Sequence, residues 1–520
     1  METDRRGFFR ILGSALAFLS GRATARTPEL RPEIHLATRN NQFGAIGPRR
    51  PKGKPGPPFK RYPKAARVAL VPAEEGGRAF AKVVRSYRSA RAFVSTPVPV
   101  GDLAKLLDLT NGVTGTASGR VGSASRRAAP SAGALYAGEV YVVAEQVYGL
   151  ASGLYYYAVE QHQLIQLREG SLLAEVGRSI ERPAEIENAA AAVLLTNVFG
   201  RYTRRYANRG YRYALIDSGH IGENLRLAAS SFGLADLSAL RFWDDRLNEL
   251  LGIDGRSEAV CAIHAIGHGG APPERVPTGE RRLNEVQHSG WTPPDIPVIE
   301  RFHQATKLVP EIGRSSTNAA PRRVDSDISD EKGLALPKSQ PSKISVATAI
   351  RERRSAISFS RPAVKLADLS FVLEAADGNP ALKRTTGVQV FAIAHRVADL
   401  ESGVYRYAPR RHELIPIGKE DLHRRLVGAC LGQEMAGSAA VGLAMAARLD
   451  AVPSPLGDRR YRDLLLESGA IAQRIYLAAE AVGLVARNLA AFMDDRFNKL
   501  LALDSRELSA LHLTMLGNGH

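Results

Sequence analysis

The sequence is poor in the residues that cross-link small domains or hold metals. Its 520 residues include two cysteines, Cys261 and Cys430, too few for a disulfide framework and without the spacing of a metal motif. Buried thiols are the expected state of both. His264 and His268 follow Cys261 closely but lack a second cysteine at ligand spacing, so no metal site is predicted.

Long apolar runs are absent as well, which excludes a stable transmembrane segment. The apolar run from Ile11 to Ser20 is short; it follows the pair Arg5-Arg6 and precedes Ala23-Thr24-Ala25. A twin arginine, a short apolar stretch and an A-x-A site are typical of a twin-arginine export signal, here residues 1–25, which predicts a periplasmic protein. An amphipathic anchor or an uncleaved signal that tethers the protein is the alternative.

Acidic residues are scarce in one segment only. The chain carries a net charge of +17, and residues 26–67 supply eleven Lys or Arg against two Glu. The rest is close to balanced, so no nucleic-acid partner is predicted. Residues 26–69 are basic and Pro-rich, and we expect an extended lead-in that buries little.

The sequence repeats itself at a constant offset of 250 residues. Residues 153–157 (GLYYY) return as 403–407 (GVYRY), and residues 244–251 (DDRLNELL) return as 494–501 (DDRFNKLL). Such a long offset predicts two copies of one domain rather than a solenoid. The predicted boundaries are 70–270 for the first copy, 271–333 for a Pro-rich linker with one helical insert near 299–307, and 334–520 for a degenerate second copy.

Each copy mixes helices with a small sheet whose neighbouring strands are joined locally, so the fold class is α+β. Hydrophobic periodicity and β-branched runs give the elements of the first copy. The predicted helices are 79–87, 98–109, 217–232 and 245–251, and the predicted strands are 139–143, 153–157, 164–165, 189–196 and 259–266. Asp244-Asp245 and Asp494-Asp495 are expected to be helix N-cap residues.

A candidate phosphate clamp follows the first helix. Arg88-Ser89-Ala90-Arg91 offers two guanidiniums around one hydroxyl, a donor set that suits a phosphate. The second copy keeps Arg354 and Ser355 but has Ile357 where Arg91 stands. Its clamp is therefore reduced.

Two backbone segments could approach a flat ligand closely. Pro130-Ser131-Ala132-Gly133 is built of small residues, and Gly133 tolerates a positive φ. The second copy has Pro380-Ala381-Leu382-Lys383 there and loses the glycine. Gly233-Leu234 follows the long helix and could present N–H groups to a ligand, with a plain helix end as the alternative.

Together these features resemble the nitroreductase superfamily, and within it the SagB-type dehydrogenases that include thiazoline and oxazoline oxidases. The resemblance covers residues 79–270 and, more weakly, 345–520. The residues that carry it are Arg88-Ser89-x-Arg91-x-Phe93, Pro130 to Leu135 leading into Val140 to Val143, and Tyr211-Arg212-Tyr213 with Ser218-Gly219-His220.

The resemblance implies an FMN-dependent oxidoreductase with flavins at a dimer interface. Arg88, Ser89 and Arg91 would grip the phosphate, Pro130 to Gly133 would line the ring, and Gly233-Leu234 would approach its edge. The azoline oxidases use a Lys-Tyr pair, for which this chain offers Arg205-Tyr206 as the catalytic candidates. An arginine that stays protonated is a poor base, which weighs against azoline oxidation.

If the copies pack as two protomers do, the chain is an intrachain pseudodimer and can be a monomer. The first seam would join the clamp at Arg88 to the altered loop at Pro380. The second seam would join the reduced clamp, Arg354 and Ser355, to the intact loop at Pro130. We therefore expect one flavin per chain and favour the second seam.

Three functions fit this sequence. The leading one is hydride transfer through flavin N5 between a small-molecule or peptide substrate and an acceptor that the sequence does not identify. Azoline oxidation of a peptide is the second, and a non-catalytic flavin-binding scaffold is the third. The electron donor is equally unidentified.

Overall fold

The computed structural model describes most of both copies. The described residues are 38, 59–72, 76–119, 122–239, 241–270, 285–288, 302–308, 332–338, 341, 343–383, 387–418, 422–449, 458–503 and 508–519. The predicted export signal lies outside them. Within these residues, no helix combines the length and the apolar character needed to cross a membrane.

The strands form one large sheet in each copy, together with two short ribbons in the first. The strands of the first copy are β1 (Arg67–Ala69), β2 (Phe93–Val94), β3 (Val98–Pro99), β4 (Val113–Gly119), β5 (Gly122–Arg127), β6 (Gly138–Ala144), β7 (Val147–Tyr148), β8 (Gly153–Ala158), β9 (Gln163–Glu169), β10 (Ala191–Val198), β11 (Ala235–Ala239) and β12 (Glu258–Gly269). Those of the second copy are β13 (Leu334–Ala335), β14 (Val388–Ala394), β15 (Gly403–Ala408), β16 (Glu413–Gly418), β17 (Val441–Arg448), β18 (Val485–Asn488) and β19 (Leu508–Gly517).

The helices lie on both faces of the sheets. Those of the first copy are α1 (Phe80–Ser86), α2 (Val100–Asn111), α3 (Leu173–Arg178), α4 (Gly200–Tyr206), α5 (Gly210–Ser231) and α6 (Asp244–Leu251). Those of the second copy are α7 (Val346–Glu352), α8 (Leu366–Leu373), α9 (His423–Ala429), α10 (Glu434–Ser438), α11 (Arg459–Ala481) and α12 (Asp494–Leu500). The predicted start of α5 at Asp217 is wrong by two turns, because its first residues contact the other copy and do not follow the apolar pattern of a helix on its own sheet.

The two large sheets have the same strand order. The first runs β1-β9-β8-β6-β10-β12-β11, and the second runs β13-β16-β15-β14-β17-β19-β18, with neighbouring strands antiparallel. Even a register shift recurs, between Leu195 and Thr196 in β10 and between Met445 and Ala446 in β17. The α+β class and the tandem repeat are thereby confirmed.

One hydrophobic core spans both copies. It joins side chains such as Leu107 and Val140 of the first copy to Val390 and Leu477 of the second. The outer face of each sheet has its own core, beneath α3 and α6 in the first copy and beneath α9 and α12 in the second. Because both faces are covered, every residue of β10 is buried.

The long helices α5 and α11 cross at a pair of glycines. A Cβ placed on Gly219 would lie 2.1 Å from the carbonyl oxygen of Leu466, and one on Gly469 would lie 1.9 Å from that of Ile216. These are backbone atoms that cannot rotate away, so the crossing requires glycine in both copies. The offset of 250 between the two residues marks a pseudo-two-fold axis.

Reciprocal ion pairs flank this crossing. Asp244 of the first copy accepts hydrogen bonds from Arg459 (2.5 Å) and Arg462 (2.7 Å) of the second. Asp494 of the second copy accepts equivalent bonds, at 2.5 Å and 2.7 Å, from two arginines of the first, Arg209 and Arg212. A self-complementary contact of this kind is isologous. It confirms the intrachain pseudodimer.

The predicted N-cap role of the repeated aspartates is wrong. Asp244 and Asp245 are the first two residues of α6, after Trp243, and no side chain caps the helix. Asp244 is fully buried because its partners lie on the other copy. The carboxylates near the start of α6 and α12 therefore hold the copies together.

A threonine from the segment before each copy completes each ion-pair cluster. Arg212 Nε donates to Thr38 Oγ1 at 2.7 Å, and Arg462 Nη1 donates to Thr306 Oγ1 at 3.4 Å. Both threonines are 1% exposed. The sequence around them repeats as well, HLATR at 35–39 and HQATK at 303–307. The predicted helical insert of the linker is confirmed at 302–305 and is part of this contact.

The expectation that residues 26–69 bury little is wrong at several positions. Lys60 is 7% exposed; its Nζ donates to Tyr141 Oη at 2.6 Å and pairs with Glu258. Tyr62 packs on Tyr156 with ring centroids 5.2 Å apart. Of the many basic residues in this segment, Lys60 pairs with the buried carboxylate of Glu258. The composition of the segment does not show which of its basic residues is buried.

Candidate functional site

The structure brings the residue that precedes each clamp, Tyr87 or Arg353, against the loop region of the other copy. In the second seam, Arg353 Nε donates to the carbonyl of Ala128 at 3.1 Å, two residues before Pro130. In the first seam, Asn379 Nδ2, next to Pro380, donates to the carbonyls of Val84 (2.7 Å) and Tyr87 (3.3 Å). The chain segments that carry the clamps therefore meet the opposite loop regions in the crossed arrangement, through the residues that precede each clamp.

Arg353 is a functional candidate that the sequence reasoning missed. It is 5% exposed, and its Nη2 donates to the carbonyl of Arg127 at 3.2 Å. Its Nη1 is buried and has no hydrogen-bond partner among the described residues. Burial lowers the pKa of this guanidinium, since no carboxylate pairs with it in the described part of the chain. The signal was available, because Tyr87 occupies the equivalent position in the first copy.

Arg354 and Ser355 lie beside it at the mouth of the seam. Arg354 Nη2 donates to the carbonyl of Thr114 at 3.2 Å, on the β4–β5 hairpin that the second copy lacks. Ser355 Oγ lies 3.0 Å from Tyr476 Oη. Ile357 is 84% exposed, so no guanidinium replaces Arg91 at that position.

The loop at Pro130 has a strained backbone. Gly133 has φ 62°, and the non-glycine residues Ala134 (φ 55°) and Tyr136 (φ 44°) share the left-handed region. Residues in this region cost energy and cluster at functional sites. A glycine is required at position 133 for a second reason as well: a Cβ there would lie 2.3 Å from Tyr206 Oη.

The catalytic candidates Arg205 and Tyr206 therefore lie against this loop. Arg205 Nη1 would be 2.9 Å from a Cβ at Gly133, and its guanidinium lies 5.5 Å from the ring centre of Tyr206. Burial raises the pKa of Tyr206 although Arg205 opposes it. In the second copy the sequence has Pro455-Leu456 at these positions, so this pair belongs to the second seam alone.

Asp217 lies beneath the same loop and was also missed. Its Oδ2 accepts the backbone N–H of Ala132 at 3.1 Å and the hydroxyl of Tyr202. Burial raises the pKa of Asp217 to about 7, despite hydrogen bonds from Tyr202, Ala132 and Ser131 that lower it. The second copy has another acid, Glu467, at this position, so comparing the copies did not single it out.

The first seam is occupied by the protein's own charges. Arg226 Nη1 donates to the carbonyl of Leu382 at 2.9 Å and to Glu223 at 2.8 Å, and its guanidinium lies 4.8 Å from the ring centre of Tyr87. Burial acts to lower the pKa of Arg226, but Glu223, Tyr87 and Asp236 together raise it. The cation and the tyrosine have exchanged places relative to Arg353 and Tyr476 of the second seam.

The predicted clamp of the first copy is at the surface of this filled seam. Arg88, Ser89 and Arg91 are exposed, and Arg88 Nη1 donates to the carbonyl of Tyr87 at 2.7 Å. Ser89 Oγ donates weakly, at 3.4 Å, to the carbonyl of Asp236. Among the described residues, none of these three side chains forms a hydrogen bond or ion pair with the loop at Pro380, its predicted partner.

Gly233-Leu234 borders the first seam rather than the second. Gly233 (φ 81°) ends α5, and the following strand β11 receives the N–H of Ala90 at the carbonyl of Asp236, 2.8 Å away. The equivalent bond, from Ala356 to Ala486, places Gly483-Leu484 beside the second clamp. A ligand in the second seam would therefore meet Gly483-Leu484.

Neither cysteine lies in a redox or metal arrangement. Cys261 and Cys430 are free and buried, as predicted, and burial raises the pKa of both thiols, that of Cys430 to about 12. In the described ranges, no three His, Cys, Asp or Glu side chains converge as metal ligands.

Comparison with known proteins gives one consistent family. The nitroreductase family matches residues 84–268 and 350–518. Over 166 residues the chain is 31% identical to MJ1384 of Methanocaldococcus jannaschii, a protein named as a nitroreductase, in a match that covers 32% of this chain and 80% of that protein. It is 36% identical over 146 residues to the trifolitoxin-processing protein TfxB of Rhizobium leguminosarum bv. trifolii, covering 27% of this chain and 39% of TfxB.

A solved structure shares the whole architecture. A crystal structure from Anabaena variabilis, also named as a nitroreductase, superposes with a TM-score of 0.76 at 24% identity and covers 95% of this chain and 100% of that one. This likeness concerns the fold. Because the family match spans more than half of the chain and falls in both copies, the chain belongs to the nitroreductase family of oxidoreductases, with two family domains in tandem.

Proposed function

We propose that this chain is an FMN-dependent oxidoreductase of the SagB type that holds one flavin, in the second seam. The observation that carries the proposal is the contrast between two buried arginines at pseudo-equivalent places. Arg226 in the first seam is neutralised by Glu223 and lies close to Asp236, whereas Arg353 in the second seam has a buried Nη1 without a partner in the described structure.

The second seam fits the phosphate of FMN. A buried guanidinium with an unpaired N–H is costly until an anion meets it, and charge-assisted bonds from Arg to phosphate are strong. Arg353 would supply this bond, with Arg354 and Ser355 beside it at the mouth. The first seam has no such vacancy among its described residues, because Arg226 already donates to Glu223 and Leu382.

The loop opposite would line the flavin ring. Gly133 and Ala134 are exposed, and the small side chains from Ser131 to Ala134 let a planar group approach the backbone. FMN supplies two-electron chemistry, with hydride transfer at its N5 position. The protein itself would bind the phosphate, form the pocket around the ring, and donate or accept protons.

Arg205 and Tyr206 are positioned to orient a substrate. Arg205 is exposed, and its guanidinium offers N–H donors but no acceptor, so it can attract a carboxylate or carbonyl oxygen but does not act as a base. Tyr206 is half-buried against Tyr213, with ring centroids 4.9 Å apart, and presents its hydroxyl to the loop. Its raised pKa keeps that hydroxyl protonated at neutral pH, which makes it a hydrogen-bond donor.

The visible spectrum of the purified chain tests this proposal. We expect an absorbance maximum near 450 nm that dithionite bleaches, with one FMN per chain after reconstitution. A ratio of two would contradict the exclusion of the first seam. A colourless protein that FMN cannot reconstitute would instead favour the non-catalytic scaffold.

A second candidate function is azoline oxidation on a peptide. It is favoured by the 36% identity to TfxB, a protein named for trifolitoxin processing, and by the position of Arg205-Tyr206 beside the loop. A thiazoline-containing peptide separates the candidates: if the chain is an azoline oxidase, the peptide bleaches the 450 nm band without air and loses 2 Da. We expect no such loss, because a guanidinium stands where that reaction uses a lysine base.

A further inference from the structure

A hydrogen-bonded chain connects a buried carboxyl group to the loop of the second seam. Asp217, 6% exposed, accepts the hydroxyl of Tyr202. Tyr202 Oη lies 2.6 Å from Ser131 Oγ, and Ser131 is half-buried at the seam. Three groups that can exchange protons therefore lie in series from the interior to the ligand-facing loop.

The donors along this chain all point inward. The backbone N–H of Tyr136 donates to Ser131 Oγ at 2.9 Å. Because Tyr202 donates its hydrogen to Asp217, the hydrogen in the short contact between Ser131 and Tyr202 comes from Ser131, whose hydroxyl also lies close enough to Asp217 to lower the pKa of that carboxyl. A serine oxygen has two acceptor positions, and the N–H of Tyr136 fills only one. Ser131 can thus accept one proton while it passes another to Tyr202.

This inference rests on the proposed function, in which one proton must be accepted or donated by a group that has not yet been identified. Removing two electrons from a substrate as hydride releases a proton, and reduction of an acceptor consumes one. The guanidinium of Arg205 has no acceptor atom, and the raised pKa of Tyr206 keeps its hydroxyl protonated near pH 7, so neither accepts that proton. Asp217, with its pKa raised by burial to about 7, is matched to the task.

The surroundings leave the carboxyl of Asp217 without a compensating cation among the described residues. Tyr202 and Tyr206 face it from α4, and Tyr136 faces it from the loop. His220 Nδ1, one turn along α5, is 4.0 Å away but bonds the carbonyl of Ile216, and burial lowers its pKa so that it is neutral. The α11 residues at the crossing, Leu466, Gly469 and Ala470, carry no charge.

We propose that Asp217 stores the proton that accompanies hydride transfer in the second seam and exchanges it with the substrate through Tyr202 and Ser131. In the oxidative direction the substrate's proton passes to Ser131 Oγ, the proton of Ser131 to Tyr202, and that of Tyr202 to Asp217. The electron pair would leave the substrate as hydride, for which a flavin held in the second seam would be the acceptor. One proton and one hydride are lost, and Asp217 ends neutral. Asp217 does not itself touch the substrate. Because it acts through Tyr202 and Ser131, it is a positioning residue and not a catalytic one.

The proton relay formed by Ser131, Tyr202 and Asp217 is present in the second seam only, among the described residues. The second copy has Ala381 in place of Ser131 and Val452 in place of Tyr202. The acid that replaces Asp217, Glu467, is paired with Arg474 at 3.3 Å. Of the three groups, the second copy retains only a carboxylate already bound to a cation.

The test compares the full wild-type chain with the Asp217→Asn variant. The asparagine side chain still forms hydrogen bonds but does not ionise. Because burial raises the pKa of Asp217 above its unfolded value, its ionisation costs stability as pH rises from about 4 to about 7. The unfolding temperature of the wild type should therefore fall relative to Asp217→Asn across this window. Tyr202→Phe is the matched control, since it breaks the relay but keeps the titrating carboxyl.

The second arm measures proton-coupled turnover. The dithionite-reduced chain is mixed with p-benzoquinone, which takes up one hydride and one proton. The wild-type rate should fall about tenfold per pH unit above pH 7, and both variants should be roughly 10²-fold slower at pH 6 with no break near 7. A flavin-loaded Asp217→Asn variant that keeps the wild-type profile would overturn the relay alone. A chain that binds no flavin would overturn both the relay and the proposed function.

Discussion

Replacing Gly469 by valine is expected to lower the free energy of unfolding by roughly 3 kcal/mol or more, because the new side chain has nowhere to go. A Cβ at this position lies 1.9 Å from the backbone carbonyl oxygen of Ile216. The clash is with main chain of the other copy, so no rotamer relieves it, and α5 and α11 must separate. Urea unfolding followed by circular dichroism measures the loss.

A helical glycine away from the crossing provides the control. Gly428 lies in α9, and a Cβ there would meet nothing within 4 Å. Gly428→Ala should therefore leave stability unchanged or raise it by about 0.5–1 kcal/mol through helix propensity. Equal tolerance at Gly469 and Gly428 would show that the copies do not pack as described.

The second large effect is expected from Asp244→Asn. Burial alone would raise the pKa of Asp244, but Arg459 and Arg462 outweigh burial and lower it to about 2. Removing the charge leaves two buried guanidiniums without their counter-ion, which costs about 3–5 kcal/mol. The lowered pKa means that this stabilisation is present above pH 4 and is lost as the pH falls toward 2.

Asp245→Asn is the matched control on the next residue. The side chain of Asp245 is 68% exposed, and its ion pair with Lys307 should contribute no more than about 1 kcal/mol. Thermal unfolding of both variants between pH 3 and pH 7 separates them. If Asp244→Asn lost no more stability than Asp245→Asn at pH 7, the ion pairs would not hold the copies together.

The repeat made much of this fold predictable. A constant offset predicted the two copies, and short-range periodicity predicted five of the seven strands in the strand order of the first large sheet, because side-chain spacing within one element is readable along the chain. The partners of Asp244 were not readable in this way, since Arg459 and Arg462 are more than 200 residues distant. The pattern Arg-x-x-Arg occurs at the same offset as the aspartates, so a search for charged pairs across the copies would have found it.

The candidate site was predictable in its backbone and less so in its charges. Comparing the copies identified the loop at Gly133 and the pair Arg354-Ser355. It overlooked Arg353, whose importance depends on burial, and Asp217, whose importance depends on which groups surround its carboxyl. Gly233-Leu234 was predicted to contact the flavin, but it lies at the first seam, and Gly483-Leu484 lies at the second. Sequence order alone does not show which helix end lies beside which clamp.

Flavin binding in two matched variants tests the central claim most directly. Arg354→Ala and Arg88→Ala remove equivalent arginines from the second and first seams, and loss of one charged hydrogen bond to phosphate costs about 1.5–3 kcal/mol. We expect one FMN per wild-type chain, affinity about 10- to 100-fold weaker in Arg354→Ala, and unchanged affinity in Arg88→Ala. Two flavins per chain, or weaker binding in Arg88→Ala alone, would contradict a single flavin in the second seam.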